Sequence, residues 1–215
     1  MRVRVGLLLV AALVVASGCD ESSSNPVEER SETPMGGAQQ PAGTTYHATI
    51  EVEADQVVVR WHLTNEGSQE LLVADGIPVV AGAGVRLQRD TAYVIPDGED
   101  VELSQRAFPW PDTDLTFATA PRVGVTRLAA GDSLSRTVTV QRPLAVRHPF
   151  GTDLGDGELS LPAAPDGVTF CLGVIAPPLK PALALTSMNG GETIVHGEVP
   201  FESQHLFCSG LVPFS

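Results

Sequence analysis

Basic side chains are scarce in this chain, which has 13 Lys and Arg residues against 26 Asp and Glu residues. The formal net charge is −13, whereas a protein that binds nucleic acid needs a basic surface. The composition therefore argues against a nucleic-acid partner, and against a folded domain lying directly on anionic lipid headgroups. A large charge of one sign also keeps proteins soluble and apart, and we take this as the ordinary explanation of the acidity.

The motifs of common catalytic and cofactor sites are also absent. The chain contains no Gly-x-Ser-x-Gly elbow, no Walker pattern, no Rossmann glycine pattern and no His-Glu-x-x-His motif. Ser133 and Ser135 have no histidine near them in sequence, and a serine nucleophile needs a base and an orienting group. We therefore predict no enzymatic activity, no catalytic residue and no cofactor. A hydrolase whose residues meet only in the folded chain stays an alternative.

Long apolar runs are missing except for one near the amino terminus, at residues 7–16. Its length is about half of the roughly 20 residues that a bilayer-spanning helix needs. Arg2 and Arg4 precede it and Ala16-Ser17-Gly18-Cys19 follows it, which is the arrangement of a signal peptide over residues 1–18. Without Arg2 and Arg4 the chain keeps 11 basic side chains and a net charge of −15.

The four residues Ala16-Ser17-Gly18-Cys19 resemble the bacterial lipobox, with alanine where that family most often has leucine. The resemblance implies diacylglycerol on the Cys19 sulfur, cleavage after Gly18, and acylation of the new amino terminus. Several acyl chains anchor a protein stably where one does not. The expected location is the cell envelope, on the extracytoplasmic side of a bacterial membrane. Asp20 resembles an inner-membrane retention signal of some Gram-negative bacteria, but we leave the choice of membrane open. An ordinary secretory signal with a chance cysteine is the alternative.

Residues 20–43 contain few apolar side chains and many Ser, Glu, Pro and Gly residues. Such a segment cannot bury enough surface to offset its ordering entropy. We predict that residues 19–43 form a lipidated cysteine and a flexible linker, with a span of roughly 25–30 Å.

Alternating apolar and polar residues begin at once in the predicted domain, residues 44–215. The first two segments, 46–52 and 57–63, are typical of half-buried strands. A turn at Asp55-Gln56 would place Glu51 opposite Arg60, and His47 diagonal to His62. Nine further candidate strands are 70–73, 85–88, 92–95, 101–104, 123–128, 133–141, 168–175, 193–199 and 206–208. The pattern predicts an all-β domain, an antiparallel immunoglobulin-like β-sandwich with about eight or nine strands.

Two segments are similar to bacterial immunoglobulin-like domains, including the BsuPI type of proteinase inhibitor domain. These are VVVRWHLTNEGSQELLV, from residue 57, and RLAAGDSLSRTVTVQ, from residue 127. The resemblance implies an exported proteinase inhibitor. The BsuPI pattern places an Asp-Gly turn before a Val-Trp strand, whereas Asp97-Gly98 is followed here by a strand without tryptophan.

Only three cysteines are present, and the lipobox takes Cys19. An exported protein is in an oxidising compartment, so we predict a disulfide between Cys171 and Cys208. A reactive thiol pair or a metal site is the alternative, although no Cys-x-x-Cys spacing supports either.

Aromatic residues make up 5% of the chain, and two of them occur together in Ala107-Phe108-Pro109-Trp110-Pro111. Prolines stiffen this segment, and aromatic side chains on a preorganised loop are good binding anchors. Phe108 and Trp110 therefore form a candidate binding loop, whose partner would be an envelope protein or peptide. The alternative, which we favour, is that both side chains plug one end of the sandwich.

Metal ligation has two weaker candidates, and we predict no metal site. His47, His62 and Glu51 would lie on one face of the first hairpin, but solvent-facing strand residues are the simpler interpretation. The acidic, glycine-rich segment 152–158 lacks the spacing of a calcium loop and is better interpreted as a turn.

Overall fold

The computed structural model describes residues 40–82, 84–114, 116–155, 157–178 and 183–214, except for the side chain of Phe201. The predicted signal peptide, the lipidation site Cys19 and the linker up to residue 39 lie outside these ranges. So does Asp156 of the acidic loop. These predictions stay predictions.

The described residues form thirteen strands and one short 3-10 helix, Phe201–Ser203, with no α-helix among them. The strands are β1 (Thr44–Val52), β2 (Gln56–Asn65), β3 (Leu71–Ala81), β4 (Gly84–Gln88), β5 (Tyr93–Asp97), β6 (Asp100–Gln105), β7 (Arg122–Leu128), β8 (Ser133–Gln141), β9 (Gly167–Ile175), β10 (Thr186–Met188), β11 (Gly191–Val195), β12 (Gln204–Cys208) and β13 (Val212–Pro213). The predicted all-β class is confirmed, although there are more strands than eight or nine.

Two sheets form the sandwich. A three-stranded sheet has the order β1-β2-β8, and a larger sheet has the order β10-β11-β7-β3-β9-β6-β5. β12 and β13 pair with β9, and β4 pairs with β3. All pairs are antiparallel except β6 with β9, which is parallel. The predicted antiparallel β-sandwich is therefore confirmed, and this one parallel pair is an addition that the sequence did not indicate.

The first hairpin has the predicted strands but a different register. Glu53 N–H donates to the Gln56 carbonyl at 2.8 Å, so the chain turns at Ala54-Asp55 instead of Asp55-Gln56. Arg60 consequently pairs with Thr49, and Glu51 reaches Arg60 diagonally at 2.7 Å. A shift of two residues keeps every side chain on its predicted face.

The main core lies between the two sheets. Alternate residues of β2 point into it, including Val57, Val59, Trp61 and Leu63, and they meet β9 residues such as Phe170. A second cluster, around Leu72, Val125, Ile175 and Ile194, covers the opposite face of the larger sheet. β9 is thus buried on both faces, which explains why its sequence is nearly all apolar. All three core clusters consist of residues within 46–214, and residues 32–215 form one compact unit with its own core.

A buried ion pair joins the sheets. The side chain of Asp75, at an irregularity of β3, is fully buried, and its oxygens lie 3.3 Å from Arg89 Nε and 2.9 Å from an Arg136 nitrogen. The Thr126 hydroxyl also donates to this carboxylate, at 2.8 Å. Burial raises the pKa of Asp75, while both guanidinium groups and the Thr126 hydrogen bond oppose that rise. Arg136 projects inward from β8, so Asp75 links the two layers.

The predicted disulfide is present. Cys171 of β9 and Cys208 of β12 are directly opposite residues of an antiparallel pair, with a Cα–Cα distance of 4.1 Å and an S–S distance of 2.09 Å. The bond ties β12, the last strand but one, to β9 in the interior of the larger sheet.

Candidate functional site

The loop after β6 separates the two aromatic residues of the predicted binding loop. Phe108 is 5% exposed and belongs to a third core cluster with Ile77, Tyr93, Ile95 and Phe150. Trp110, two residues later, is 43% exposed. Phe108 therefore plugs one end of the sandwich, whereas Trp110 presents part of its indole ring to solvent.

Backbone hydrogen bonds from a distant segment hold Phe108 in place. Its N–H donates to Nδ1 of His196 at 3.0 Å, and its carbonyl accepts from Gly197 N–H at 2.7 Å. The Phe108 ring makes an edge contact with Tyr93 at 5.4 Å between centroids. The Arg106 guanidinium lies over the same ring, 4.3 Å from its centroid. Few conformations remain open to a loop with this many contacts.

His196 is fully buried beside this loop. Because its Nδ1 accepts the Phe108 N–H, the neutral ring carries its proton on Nε2, which lies 3.1 Å from the Tyr93 hydroxyl. Burial lowers the pKa of His196 to about 3, and the nearby His148 contributes to the lowering. His148 has its own pKa lowered to about 4 by burial and by the charge of Arg106. Both rings are neutral at pH 7 and serve the loop as hydrogen-bonding and aromatic partners.

Residues from three separate parts of the chain pack against Trp110. Its ring lies 5.2 Å from Phe150 and 5.8 Å from Phe117, the latter at an interplanar angle of 26°. Gly197 approaches so closely that a Cβ atom there would be 2.4 Å from Cδ1 of the indole. The backbone of Gly197 has φ +79°, so glycine suits this position for conformation as well as space.

We call Trp110, Phe117, Phe150 and Gly197 the tryptophan platform. This platform is suited to binding a partner, because an exposed indole ring that is already held in position loses little conformational entropy on binding. Tryptophan is also among the residues that most often dominate binding energy at interfaces. Two exposed carboxylates, Asp112 and Asp114, follow it in the same loop.

Sequence patterns singled out Trp110 but missed the residues that position it. Phe150, His196 and Gly197 lie in loops, 40 or more positions away along the chain, and no local periodicity connects them with Trp110. Gly197 lies inside the candidate strand 193–199, and a glycine within a strand pattern is the one local sign of a close backbone approach there.

One of the two serines on β8, Ser135, contacts a histidine in the fold. His62 Nδ1 lies 2.7 Å from Ser135 Oγ, and Nε2 lies 3.1 Å from Thr64 Oγ1. Within the described ranges no carboxylate contacts this ring, so a Ser-His-acid triad is not assembled around it.

The weaker metal candidates do not gain ligands. His47 and His62 are directly opposite instead of diagonal, and the described residues contain no group of three His, Cys, Asp or Glu side chains that could hold an ion. In the acidic loop, Asp153 and Glu158 form an isolated β-bridge, and Asp153 accepts a hydrogen bond from Gly155 N–H at 2.9 Å. These contacts are those of a turn between Asp153 and Glu158.

Comparison with known proteins gives no family assignment. No protein-family model matches the chain, and searches of the curated proteins and of the solved structures found no significant match. The lipobox and BsuPI resemblances are therefore neither supported nor contradicted. In the described part of the chain, no helix is long and apolar enough to cross a bilayer.

Proposed function

We propose that this protein is a lipid-anchored component of the bacterial cell envelope whose β-sandwich binds a protein or peptide partner without catalysing a reaction. The anchor is Cys19, acylated on the extracytoplasmic side of a membrane. Residues 20–43 are the flexible linker between this anchor and the β-sandwich. The binding anchor is Trp110.

The observation that carries the binding proposal is the contrast between the exposure of Trp110 and its fixed position. Trp110 is 43% exposed as a residue, and its side chain would be free to change rotamer if nothing supported the indole ring. Here Phe150, Phe117 and the backbone of Gly197 pack against the ring. The buried Phe108, hydrogen-bonded to His196, fixes the loop that carries Trp110. Loop-borne residues on a rigid scaffold are a usual location of binding sites.

The partner is tested with the compact unit, residues 32–215, kept oxidised and immobilised. We compare the proteins captured from envelope extract by the native unit, by Trp110→Ala and by Leu211→Ala. Leu211 is a matched control because it is 50% exposed and lies in a different segment. A specific partner lost with Trp110→Ala and retained with Leu211→Ala supports the proposal, provided that all three units melt alike. Identical capture by the two variants would contradict it.

The identity of a captured partner distinguishes the alternatives. A captured protease that the native unit inhibits, and that Trp110→Ala does not bind, would favour the BsuPI-like inhibitor function. A product formed from a captured substrate would instead indicate the hydrolase.

The anchor is tested in the full chain expressed in a bacterium. We expect the native chain in the membrane fraction, with an acylated amino-terminal Cys19 by mass spectrometry, and Cys19→Ser without that modification. An unmodified amino terminus in native protein would refute the lipid anchor while leaving the binding proposal intact.

A further inference from the structure

The first strand, β1, has one open edge. Glu53 and Gln56 form the hydrogen-bonded pair that closes its hairpin, and Glu66 N–H likewise donates to Gly43 at the other end. Because such pairs alternate along an antiparallel ladder, the odd-numbered residues of β1 bond to β2. Even-numbered residues from Tyr46 to Val52 direct their N–H and C=O groups away from β2. In the described part of the chain nothing bonds to these groups, and β1 ends the order of its sheet.

The inward side chains of β1 are also incompletely covered. Tyr46, Ala48, Ile50 and Val52 pack against the main core but are only partly buried, whereas the inward residues of neighbouring β2 are fully buried. An added strand beyond β1 would cover these four side chains.

Edge strands usually carry features that prevent pairing with another chain, such as proline, lysine, a bulge or an inward charge. The sequence TTYHATIEV of β1 has no proline or lysine, its ladder to β2 is regular over nine residues, and its inward residues are uncharged. Its edge is therefore suited to strand addition.

We propose that two copies of this protein associate through β1, with the two strands antiparallel about a twofold axis at Thr49. The symmetry places His47 of each copy directly opposite Glu51 of the other, twice in one interface. Tyr46 then faces Val52, and Ala48 faces Ile50, so the partly buried apolar residues cover one another. The outward backbone groups, all on even-numbered residues, meet even-numbered partners as the ladder requires. Two three-stranded sheets become one sheet with the order β8-β2-β1-β1-β2-β8.

A second copy is the occupant that the sequence of β1 favours. The strand is close to self-complementary about Thr49 because its imidazole, on His47, and its one carboxylate, on Glu51, are equally distant from that residue, so each imidazole can donate an N–H to the carboxylate of the other copy. Glu51 is already positioned by Arg60 at 2.7 Å, on the same exposed face.

Cysteine cross-linking tests the register in residues 32–215, where Cys171 and Cys208 are already joined. Thr49→Cys places two thiols on the axis, opposite each other at a non-hydrogen-bonded pair, where Cα atoms are about 4.5 Å apart. Thr45→Cys is the matched control, on the same exposed face, and its two thiols would be eight positions apart, about 26 Å. We expect a rapid disulfide-linked dimer with Thr49→Cys and none with Thr45→Cys. Equal cross-linking of both, or none at Thr49, overturns the proposal.

Sedimentation equilibrium of the unit without added cysteine gives a second measurement. We expect concentration-dependent dimers that Thr49→Lys weakens by up to about fivefold, because like charges meet on the axis. Thr45→Lys should leave association intact, since the new ammonium group would face Glu53 of the other copy. A unit that stays monomeric up to its highest soluble concentration contradicts self-association. Neither result depends on the partner bound at Trp110, so this proposal and the binding proposal can fail separately.

Discussion

Replacing Gly197 by alanine tests whether the tryptophan platform is rigid. The new Cβ atom would lie 2.4 Å from Cδ1 and 2.5 Å from Nε1 of Trp110, well inside the contact distance of about 3.5–4.0 Å. The indole must therefore move away and lose its contacts with Phe117 and Phe150. Each aromatic contact contributes about 0.5–1.5 kcal/mol. The left-handed backbone at φ +79° costs a further ~1–2 kcal/mol for a residue with a side chain.

Gly131→Ala separates these two contributions. Gly131 has φ +83°, but nothing lies within 4 Å of the Cβ atom that alanine would add. We expect Gly131→Ala to lower the free energy of unfolding by ~1–2 kcal/mol, from the backbone alone. Gly197→Ala should lower it by about 2–5 kcal/mol, because the loss of two aromatic contacts adds to the same backbone cost.

Urea unfolding measures both variants, and acrylamide quenching of fluorescence reports on the ring. The chain has two tryptophans, and Trp61 is 2% exposed with its indole N–H bonded to Gln105, so quenching reports mainly on Trp110. Quenching should increase in Gly197→Ala and stay unchanged in Gly131→Ala. Equal destabilisation by the two variants, with unchanged quenching, would show that Gly197 does not hold Trp110 and would refute the rigid platform.

Two further predictions concern buried ionisable side chains. Asp75→Ala should lower the free energy of unfolding by about 2–4 kcal/mol, because it leaves two arginines partly buried without their carboxylate. The exposed pair gives the control: Glu51→Ala should lower the free energy of unfolding far less than Asp75→Ala, because solvent screens the Glu51–Arg60 pair, and similar losses for both would refute the linking role of Asp75. Acid should also weaken the fold through His196. Its folded pKa of about 3 is below the unfolded value of about 6.5, so the unfolded chain takes up the proton first, and stability falls as pH drops from about 6.5 to about 3. His196→Gln should flatten that part of the unfolding-versus-pH profile relative to the native chain, and an identical slope would contradict the assignment.

The strand pattern could be predicted well because burial alternates locally. Every candidate strand has a counterpart in the structure, and the two that were missed, β10 and β13, have three and two residues, too few to show a period. The second half of β3 was also missed, since Asp75, Gly76 and Pro78 interrupt its apolar pattern. Pro78 is tolerated because β3 pairs there only with the short hairpin strand β4.

The register and the site could not be predicted in the same way. A turn at Ala54-Asp55 or one residue later gives the same alternation, so only the hydrogen bond between Glu53 and Gln56 decides between them. The platform depends on contacts between residues 110, 150 and 197, and nothing in the local sequence of one segment specifies the other two. Asp75 is a similar case, because a carboxylate is expected on the surface until its arginine partners are known.

The two proposed surfaces are on different parts of the sandwich. Trp110 follows β6 and packs on the loop after β11, both strands of the larger sheet, whereas β1 is the outer strand of the three-stranded sheet. Their contacts share no residue, so Trp110→Ala and Thr49→Lys should act independently. A protein held near a membrane by a lipid on Cys19 would also meet its own copies at raised local concentration, which favours an edge interaction that is weak in solution. A dimer of this kind would present two Trp110 side chains, and a partner with two matching sites would then bind with avidity beyond that of either site alone.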